Sequence, residues 1–448
     1  MKSEPITIIL FGRAVCKRLK KDVFKIMPII SLKQQKNDTL SKEIKALPPP
    51  KTAYVPLCSS RRENLVATVS VGDTVTPFVT LSQPESGKGS PVNSPFFGKV
   101  ISIKKFVIPA VGKLPCAEIE VKNTAEQHPD RETAKPEDFS KEEIMDACMR
   151  AGIVDELDGR RLWEKLAEAS RSGLAAVAVD AVEDDLYSSA GLCVLMNYGG
   201  EVAKGLILAG IAANLAERFI AVYSDKSWDE KINESYGGLP VRRFEGKYPQ
   251  NHKLRKDLDA KGGGIAIGPQ AARALYRAVT QNEMQTHTIV TVAGDCVLRS
   301  GNYLVPVGMP VGELLYHAGA SEQAQLILAG GYIRGIPVTQ DTPVYQGLTA
   351  VIAVREADKK ASVPCIGCGS CASVCPVGLM PNYILEQLAG GHYSMVGGDA
   401  IGCIGCGLCT LVCPSKIYVS AGVAKVKKEI LELNKFHMEE RSDVYGKR

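Results

Sequence analysis

The sequence contains no apolar run long enough to cross a membrane. A spanning helix needs about 18 or more consecutive apolar residues, whereas the apolar runs near the N-terminus cover only 6–11 and 24–30. The first run is also too short for the apolar region of a secretory signal peptide. We therefore expect a cytoplasmic protein without a transmembrane segment.

Strong net charge is absent as well. The 54 Lys and Arg residues nearly balance the 49 Asp and Glu residues, and aromatic residues make up only 6% of the chain. A nucleic-acid-binding surface gathers basic residues and interleaves them with aromatic ones, so we expect no nucleic-acid partner. The local basic excess at 13–21 suits the solvated face of a short helix, and contact with a membrane surface or a partner is the alternative.

What the chain does have is length and cysteine. Its 448 residues exceed one ordinary core and predict roughly three domains at about 150 residues each. Hydrophobic residues make up 45% of the chain, which is typical of a globular protein. In a long chain without a secretory signal, 14 cysteines indicate metal or redox chemistry rather than disulfides.

Eight of the cysteines form two cassettes with the same spacing, C-x2-C-x2-C-x3-C-P, at 365–376 and 403–414. The first three thiolates of a cassette can bind one iron–sulfur cubane only if the backbone curls around it. Gly367, Gly369, Gly405 and Gly407 permit that curl. Zinc sites usually consist of two separated C-x2-C pairs, so zinc is the weaker alternative.

The fourth cysteine of each cassette points away from its own cluster, and in two-cluster ferredoxins it binds the other one. The cassettes therefore predict two [4Fe–4S] clusters with crossed ligands. Cluster 1 is assigned to Cys365, Cys368, Cys371 and Cys413, and cluster 2 to Cys403, Cys406, Cys409 and Cys375.

The remaining cysteines stand alone, and we predict buried structural thiols for them. They are Cys16, Cys58, Cys116, Cys148, Cys193 and Cys296. Between the cassettes, apolar residues at 380, 383, 384 and 388 repeat at helical spacing and predict a helix.

Three further modules are predicted upstream of the cassettes. Residues 53–121 are extended runs joined by turns, typical of a small β-sandwich or barrel, with a loop at 87–95 and a linker at 123–142. From 141 onward, strand and helix patterns alternate, which indicates an α/β layer with a mostly parallel sheet. Its strands are predicted at 175–179 and 219–223, and its helices at 142–151, 161–170, 201–215 and 269–281. Residues 286–354, with a helix at 311–315, form a small α+β module.

Ligands of such α/β layers bind at the carboxyl ends of strands, here near 180–187 and 224–228. The acidic run at 183–185 offers a cation or polar-ligand site, but a solvated loop is favoured. The glycine run at 262–264 lacks the lysine and the spacing of a phosphate-binding loop and predicts a connection between helix and strand. The glycines at 330, 331 and 335 are predicted turn positions.

This order of modules resembles the RnfC family, a component of the Rnf electron-transport complex, over about 40–419. The segments that carry the resemblance are Leu47-Pro48-Pro49-Pro50-Lys51, Val71-Gly72-Asp73, Gly98-Lys99-Val100, Ala151-Gly152-Ile153-Val154, Tyr248-Pro249-Gln250, Gly330-Gly331 with Asp341-Thr342-Pro343-Val344, and the two cassettes. The resemblance implies a multidomain α+β fold. Its parts are an N-terminal extension (1–45), a β barrel-sandwich hybrid (46–122), an α/β layer like the complex I flavoprotein subunit (141–283), a β-grasp-like SLBB module (286–355), a two-[4Fe–4S] ferredoxin domain (358–422) and a tail (423–448).

The resemblance also raises the question of FMN, which that family binds through a glycine-rich loop after Gly-Ile-Val. Here Gly152-Ile153-Val154 continues into the acidic Asp155-Glu156-Leu157-Asp158, and acidic residues repel a phosphate. The family's acidic segment downstream is altered at 179–187. Both differences resemble a divergent branch associated with proline reductase, and FMN stays open.

Two functional hypotheses follow. In the first, the chain is an electron-transfer subunit rather than a stand-alone catalyst, and its clusters relay single electrons. The resemblance implies a ferredoxin-like donor, a reductase or an Rnf-type membrane complex as partners, in anaerobic metabolism, with a peripheral place at the inner face of the cell membrane. In the second, FMN accepts hydride from NADH and passes single electrons to the clusters. A third alternative, clusters that only stabilise the fold, would need just one of them. No catalytic residues are predicted, and no cofactor-binding residues are assigned beyond the cluster ligands.

Overall fold

The computed structural model describes residues 34–40, 42–58, 65–86, 89–109, 111–124, 135–226, 228–355, 362–392 and 398–430. The chain divides into two units. The larger unit spans Lys33–Gly246 and Gln250–Ala357. The smaller unit includes Lys247–Pro249 and the part of the chain that begins at Asp358. The basic run at 13–21 and Cys16 lie outside the described residues.

The first part of the larger unit is built almost entirely of strands. After the short helix α1 (Asn37–Leu40), these are β1 (Lys45–Ala46), β2 (Thr52–Pro56), β3 (Leu65–Ala67), β4 (Thr74–Val75), β5 (Thr80–Pro84), β6 (Val92–Asn93), β7 (Phe96–Ile108) and β8 (Gly112–Thr124). One sheet has the order β2-β8-β7-β4 and the other β3-β5-β6. Val55, Leu81, Phe96 and Ile119 fill a shared core, so the predicted sandwich is observed, with β6 lying inside the predicted loop.

The middle of the larger unit is the predicted α/β layer. Its helices are α2 (Lys141–Arg150), α3 (Leu162–Arg171), α4 (Ala190–Ala213), α5 (Asn251–Ala260) and α6 (Pro269–Gln281), and its strands are β9 (Ala176–Ala181), β10 (Glu217–Tyr223), β11 (Ser235–Tyr236), β12 (Leu239–Phe244) and β13 (Gly264–Ile267). The sheet order is β11-β12-β10-β9-β13, and every pair except β11·β12 is parallel.

Both faces of this sheet are covered, as the apolar strand sequences require. Val177 and Val179 point into a large core with α4 and α6, while Ala176 and Ala178 point into a second core with Leu254 of α5 and its neighbours. Successive side chains of a strand point to opposite faces, and a parallel sheet is normally buried on both. Polar side chains that could bind a ligand are therefore expected at the ends of the strands.

Helix α4 is longer than the sequence pattern predicted, because it begins at Ala190 rather than at 201. The glycines around 199 and a backbone kink at Tyr198 interrupt the helical pattern. Among the described residues, α4 is the helix long and apolar enough to cross a membrane by length and composition, and 61% of its most apolar stretch is buried inside the protein.

Close packing between α4 and α6 makes Gly205 sensitive to substitution. A Cβ at Gly205 would overlap the backbone carbonyl of Ala272, whereas a Cβ at Gly200 on the same helix would meet open space. We expect Gly205→Ala to lower the free energy of unfolding by about 1–3 kcal/mol through overpacking. Gly200→Ala, the matched control, should raise it by up to about 1 kcal/mol through helix propensity. Thermal unfolding checks both variants, and equal melting temperatures would contradict the close packing.

The last part of the larger unit is the small α+β module. It contains β14 (His287–Ala293), β15 (Gly301–Pro306), α7 (Val311–His317), β16 (Leu326–Ala329), β17 (Ile336–Pro337) and β18 (Ala350–Val354). The sheet order is β1-β15-β14-β18-β16-β17, so the early strand β1 completes its edge. Gly330 and Gly331 have φ of 92° and 119°, which suits the predicted turn.

The smaller unit contains both cassettes. Its helices are α8 (Ser370–Ser373), α9 (Pro381–Ala389) and α10 (Leu408–Leu411), with further helical residues at 398–401 and 419–430. Helix α9 is the helix predicted between the cassettes, and Ile384 packs with Ala400, Val423 and Val426 in a small core. Met380 caps this helix and is 57% exposed. The domain bounds inferred from the resemblance stay predictions.

Candidate iron–sulfur centre

The two cassettes fold alike. In each, a loop with two left-handed glycines leads into a one-turn helix, α8 or α10, and the second glycine is the residue before that helix. The φ angles of Gly367 and Gly369 are 68° and 71°, and those of Gly405 and Gly407 are 69° and 78°. Residues other than glycine rarely adopt this backbone conformation. Both loops therefore have the curled backbone that the spacing predicted.

The chain also aims hydrogen-bond donors at the cysteine sulfurs. The amide of Gly405 donates to Cys403 Sγ at 3.4 Å, and the amide of Leu379 donates to Cys375 Sγ at 3.3 Å. Hydrogen bonding with Ser370 lowers the pKa of Cys368. Hydrogen bonds to sulfur are among the factors that set the potential of an iron–sulfur cluster. The loops thus supply sulfur-directed polar contacts as well as thiols.

The start of the first cassette is joined to the end of the second. The amide of Val363 donates to the carbonyl of Ser415 at 3.1 Å, and Ser415 Oγ donates to the carbonyl of Pro364 at 3.2 Å. Pro364 directly precedes Cys365, and Ser415 is the second residue after Cys413. The two contacts therefore bring Cys413 to the same end of the unit as Cys365.

A thiol of the first cassette, that of Cys375, also acts electrostatically on a thiol of the second, that of Cys409. Burial raises the pKa of Cys409 to about 12, and the neighbouring thiols of Cys406, Cys403 and Cys375 act in the same direction. Thiolates this close repel one another unless a cationic centre offsets their charge. Among the described residues, no three or more His, Cys, Asp or Glu side chains are placed to hold a single metal ion.

Tyr248 belongs to a segment that carries the family resemblance, but its contact with a cassette was not predicted. Its hydroxyl donates to the carbonyl of Cys406 at 2.5 Å, and the side chain is buried within the smaller unit. Nothing in the local pattern around residue 248 connects it with a cassette more than 150 residues away. The contact steadies the loop that carries Cys406.

Five of the six isolated cysteines lie in the described part of the chain, and these five are buried as predicted. Cys58, Cys116, Cys148, Cys193 and Cys296 are all buried. Burial raises the pKa of Cys116 to about 12 and that of Cys193 to about 11, so these thiols stay protonated at neutral pH and are inert.

A cavity of about 670 Å³ lies at the carboxyl ends of the α/β strands. The described residues at 180–185, the first turns of α4 and α6, part of α5 and the turn at Gly330 line it. Segment 224–228, the other predicted ligand edge, is not among the lining residues. Seven of the described lining residues are acidic and three are basic.

The acidic run at 183–185 is not the solvated loop that the sequence favoured. Asp184 and Asp185 are 0% and 4% exposed. Asp185 accepts hydrogen bonds from the amides of Tyr332 and Ile333 at 3.0 Å, and Asp184 pairs with Arg334. The run is buried because the α+β module supplies partners for its carboxylates, and these partners lie about 150 residues away in sequence.

The acidic segment after Gly152-Ile153-Val154 meets helix α6. Asp155 Oδ1 accepts a hydrogen bond from the amide of Gly268 at 3.0 Å, and Glu156 accepts from the amides of Gln270 and Ala271 at 2.7 and 3.0 Å. Lys165 Nζ lies 2.6 Å from Asp155 Oδ2. These carboxylates therefore cap a helix that faces the cavity.

Burial changes the proton affinity of the cavity carboxyls. It raises the pKa of Asp180 to about 6. Burial, and then the nearby Asp155, raises the pKa of Glu156 to about 8, against the opposing effect of the amide hydrogen bonds. Positive charge in the cavity would lower both values.

Three family models match parts of the chain. The RnfC barrel sandwich hybrid domain matches residues 27–124, the SLBB domain matches 289–337, and the 4Fe-4S dicluster domain matches 364–417. The three matches follow the order of modules in the chain. They support the barrel-sandwich, SLBB and two-cluster parts of the predicted multidomain fold.

Similar curated proteins share one description, in which each is the C component of an ion-translocating oxidoreductase complex. The protein of Rhodobacter capsulatus is 26% identical over 383 residues, which cover 80% of this chain and 74% of the relative. That of Erwinia tasmaniensis is 29% identical over 49% of this chain and 30% of the relative. That of Haemophilus influenzae is 23% identical, and the match covers 78% of this chain and 58% of the relative.

Two crystal structures of NAD+-reducing [NiFe]-hydrogenase are among the solved structures that match part of the chain. The H2-reduced structure has a TM-score of 0.41 at 13% identity and covers 60% of this chain and 54% of that one. The air-oxidized structure has a TM-score of 0.45 at 12% identity and covers 68% and 66%.

The fold and the cassettes define an iron–sulfur electron-transfer protein with two [4Fe–4S] clusters. The chain is RnfC-like: it combines the RnfC barrel sandwich hybrid, an α/β layer, the SLBB module and the dicluster domain in that order.

Proposed function

We propose that this chain relays single electrons through its two clusters, as a peripheral member of an Rnf-type complex. The curated relatives, which are named as components of an oxidoreductase complex, support membership in such an assembly. The clusters supply the one-electron chemistry, and the upstream modules of the larger unit serve as a docking scaffold. No bond-making site is required for this function.

The ligand sets of the clusters are part of the proposal. Cys365, Cys368, Cys371 and Cys413 hold cluster 1, and Cys403, Cys406, Cys409 and Cys375 hold cluster 2. The observation that carries this assignment is the pair of contacts between Ser415 and the residues just before Cys365. The electrostatic influence of Cys375 on Cys409 supports the second set. Crossed ligands keep both clusters in one small unit, which suits transfer from one to the other.

The partners are redox proteins. A ferredoxin-like donor and a reductase, or the membrane part of an Rnf-type complex, exchange electrons with the clusters at the inner face of the cell membrane. The departures at 155–158 and 179–187 favour the divergent branch of the family that is associated with proline reductase. In that case the acceptor is a reductase of anaerobic metabolism.

Anaerobic purification with metal, sulfide and flavin analysis tests the proposal. Two cubanes require about eight irons and eight sulfides per chain, with a broad charge-transfer absorption. Reduction by a chemical one-electron donor should bleach that absorption, and a redox partner should restore it. Zinc in place of iron, or clusters that cannot be reduced while partner activity persists, would contradict a relay.

A further inference from the structure

We infer that the cavity of the α/β layer excludes a flavin phosphate, so that this RnfC-like protein exchanges electrons one at a time and not as hydride. The family resemblance places FMN in this layer, and the cavity is large enough to raise the question. The exclusion concerns the larger unit alone. The statement about single electrons rests on the proposed function of the clusters.

The chain itself occupies the N-terminus of helix α6. Helix N-termini bind phosphates because their free amides and the helix dipole attract negative charge. Here the amides of Gly268, Gln270 and Ala271 already donate to Asp155 and Glu156. A phosphate entering this site would find these amides already hydrogen-bonded and two carboxyl groups in the space it needs.

Glu156 follows an anchored residue and fills the space beside the N-terminus of α6. The neighbouring Asp155 is fully buried and held by Lys165 at 2.6 Å and by the amide of Leu157 at 3.1 Å. The Glu156 carboxyl lies so close to Gly268 that a Cβ there would overlap it. Protonation of Glu156 would not free the site, because the neutral carboxyl fills the same space.

A second helix that faces the cavity, α4, is capped in the same way. Glu183 Oε2 accepts from the amide of Leu192 in the first turn of α4 at 3.0 Å, and Glu183 Oε1 accepts from Ser188 Oγ at 2.9 Å. The N-termini of α4 and α6 therefore both point at carboxylates of this chain.

The charge of the cavity lining also disfavours a phosphate. Two of the three basic lining residues are committed to acidic partners: Lys165 to Asp155 and Asp158, and Arg334 to Asp184. A phosphate dianion would meet an excess of carboxyl groups, and like charges at short range repel one another.

The residues present do not fit FMN, and this bears on the source of the electrons. A hydride donor such as NADH delivers two electrons together, and a flavin is the group that converts them to single electrons. Without a flavin in this chain, the clusters must receive their electrons from a one-electron donor or from a flavin on a separate polypeptide.

Titration of the purified full-length holoprotein with FMN tests the inference. We expect no FMN to copurify, no saturable quenching of FMN fluorescence up to about 1 mM, which corresponds to binding weaker than about −4 kcal/mol, and no NADH-dependent reduction of a one-electron dye. Stoichiometric FMN in the wild-type protein would overturn the exclusion.

A matched pair of variants assigns the cause. Glu156→Ala frees the amides of Gln270 and Ala271, and we expect FMN and inorganic phosphate to bind at least about tenfold more tightly than to wild type. Glu164→Ala, an exposed position on α3, should bind like wild type. Circular dichroism and iron content establish that both variants are folded. A folded Glu156→Ala protein without any gain would overturn the role of this carboxylate.

A failure of the cavity inference can be distinguished from a failure of the proposed function. Iron content and cluster reduction are measured on the same sample. Clusters that are missing while FMN is still excluded would defeat the relay and leave the cavity inference intact. FMN bound beside intact, reducible clusters would defeat the cavity inference alone.

Discussion

Replacement of Cys368 or Cys406 by serine should abolish electron transfer through this protein. Each substitution removes one ligand of one cluster, and a cubane with three protein thiolates is readily lost. We expect each variant to retain about four of about eight irons and to fail to pass electrons from a reduced donor to the partner. Iron analysis and the rate of partner reduction measure the two effects.

The control is Cys148→Ser, at a buried isolated thiol in the larger unit. The variant should keep its full iron content and its electron-transfer rate, with a stability loss on the order of 1 kcal/mol for burying a hydroxyl in place of a thiol. A Cys368→Ser protein that lacks cluster 1 and still reduces the partner at the wild-type rate would contradict the electron relay.

Double substitutions should distinguish crossed ligation from local ligation with a large difference in iron content. If Cys375 serves cluster 2, then Cys375→Ser with Cys406→Ser damages one cluster and leaves about four irons. The pair Cys375→Ser with Cys368→Ser damages both clusters and leaves almost none. Local ligation, in which each cassette holds its own cluster, predicts the opposite order.

The mirror pairs provide the internal control. Cys413→Ser with Cys368→Ser should leave about four irons, and Cys413→Ser with Cys406→Ser almost none. Electron paramagnetic resonance of the reduced proteins adds a second readout, because a single remaining cluster gives a spectrum without magnetic coupling to a neighbour. Equal iron loss in all four double variants would argue against any fixed assignment.

The parts of the fold that the sequence predicted well are governed by local periodicity. The strand expected at 219–223 is observed as Glu217–Tyr223, and the helix expected at 269–281 is observed as Pro269–Gln281. Continuous apolar runs and helical spacing carry these signals within a few residues. The helix predicted at 201–215 missed the first half of α4. Gly199 interrupts the helical pattern there and the backbone is kinked at Tyr198, but packing against the core keeps the segment helical.

The acidic residues show where local pattern is insufficient. The run at 183–185 is polar enough for a surface loop, yet Asp184 and Asp185 are buried against Arg334 and the amides of Tyr332 and Ile333. A buried carboxylate is stable only with such partners. The sequence does not state which distant segment supplies them.

By itself, the sequence determined that this protein carries two iron–sulfur clusters. In each cassette, three of the cysteines assigned as ligands fall within seven residues, together with the glycines that shape the loop, so the chemistry is encoded locally. The contact of Ser415 with Pro364 and the capping of α6 by Glu156 join residues 51 and more than 110 positions apart. Only the tertiary structure decided these features, because hydrogen-bond partners that are distant in the chain are chosen by packing rather than by local pattern.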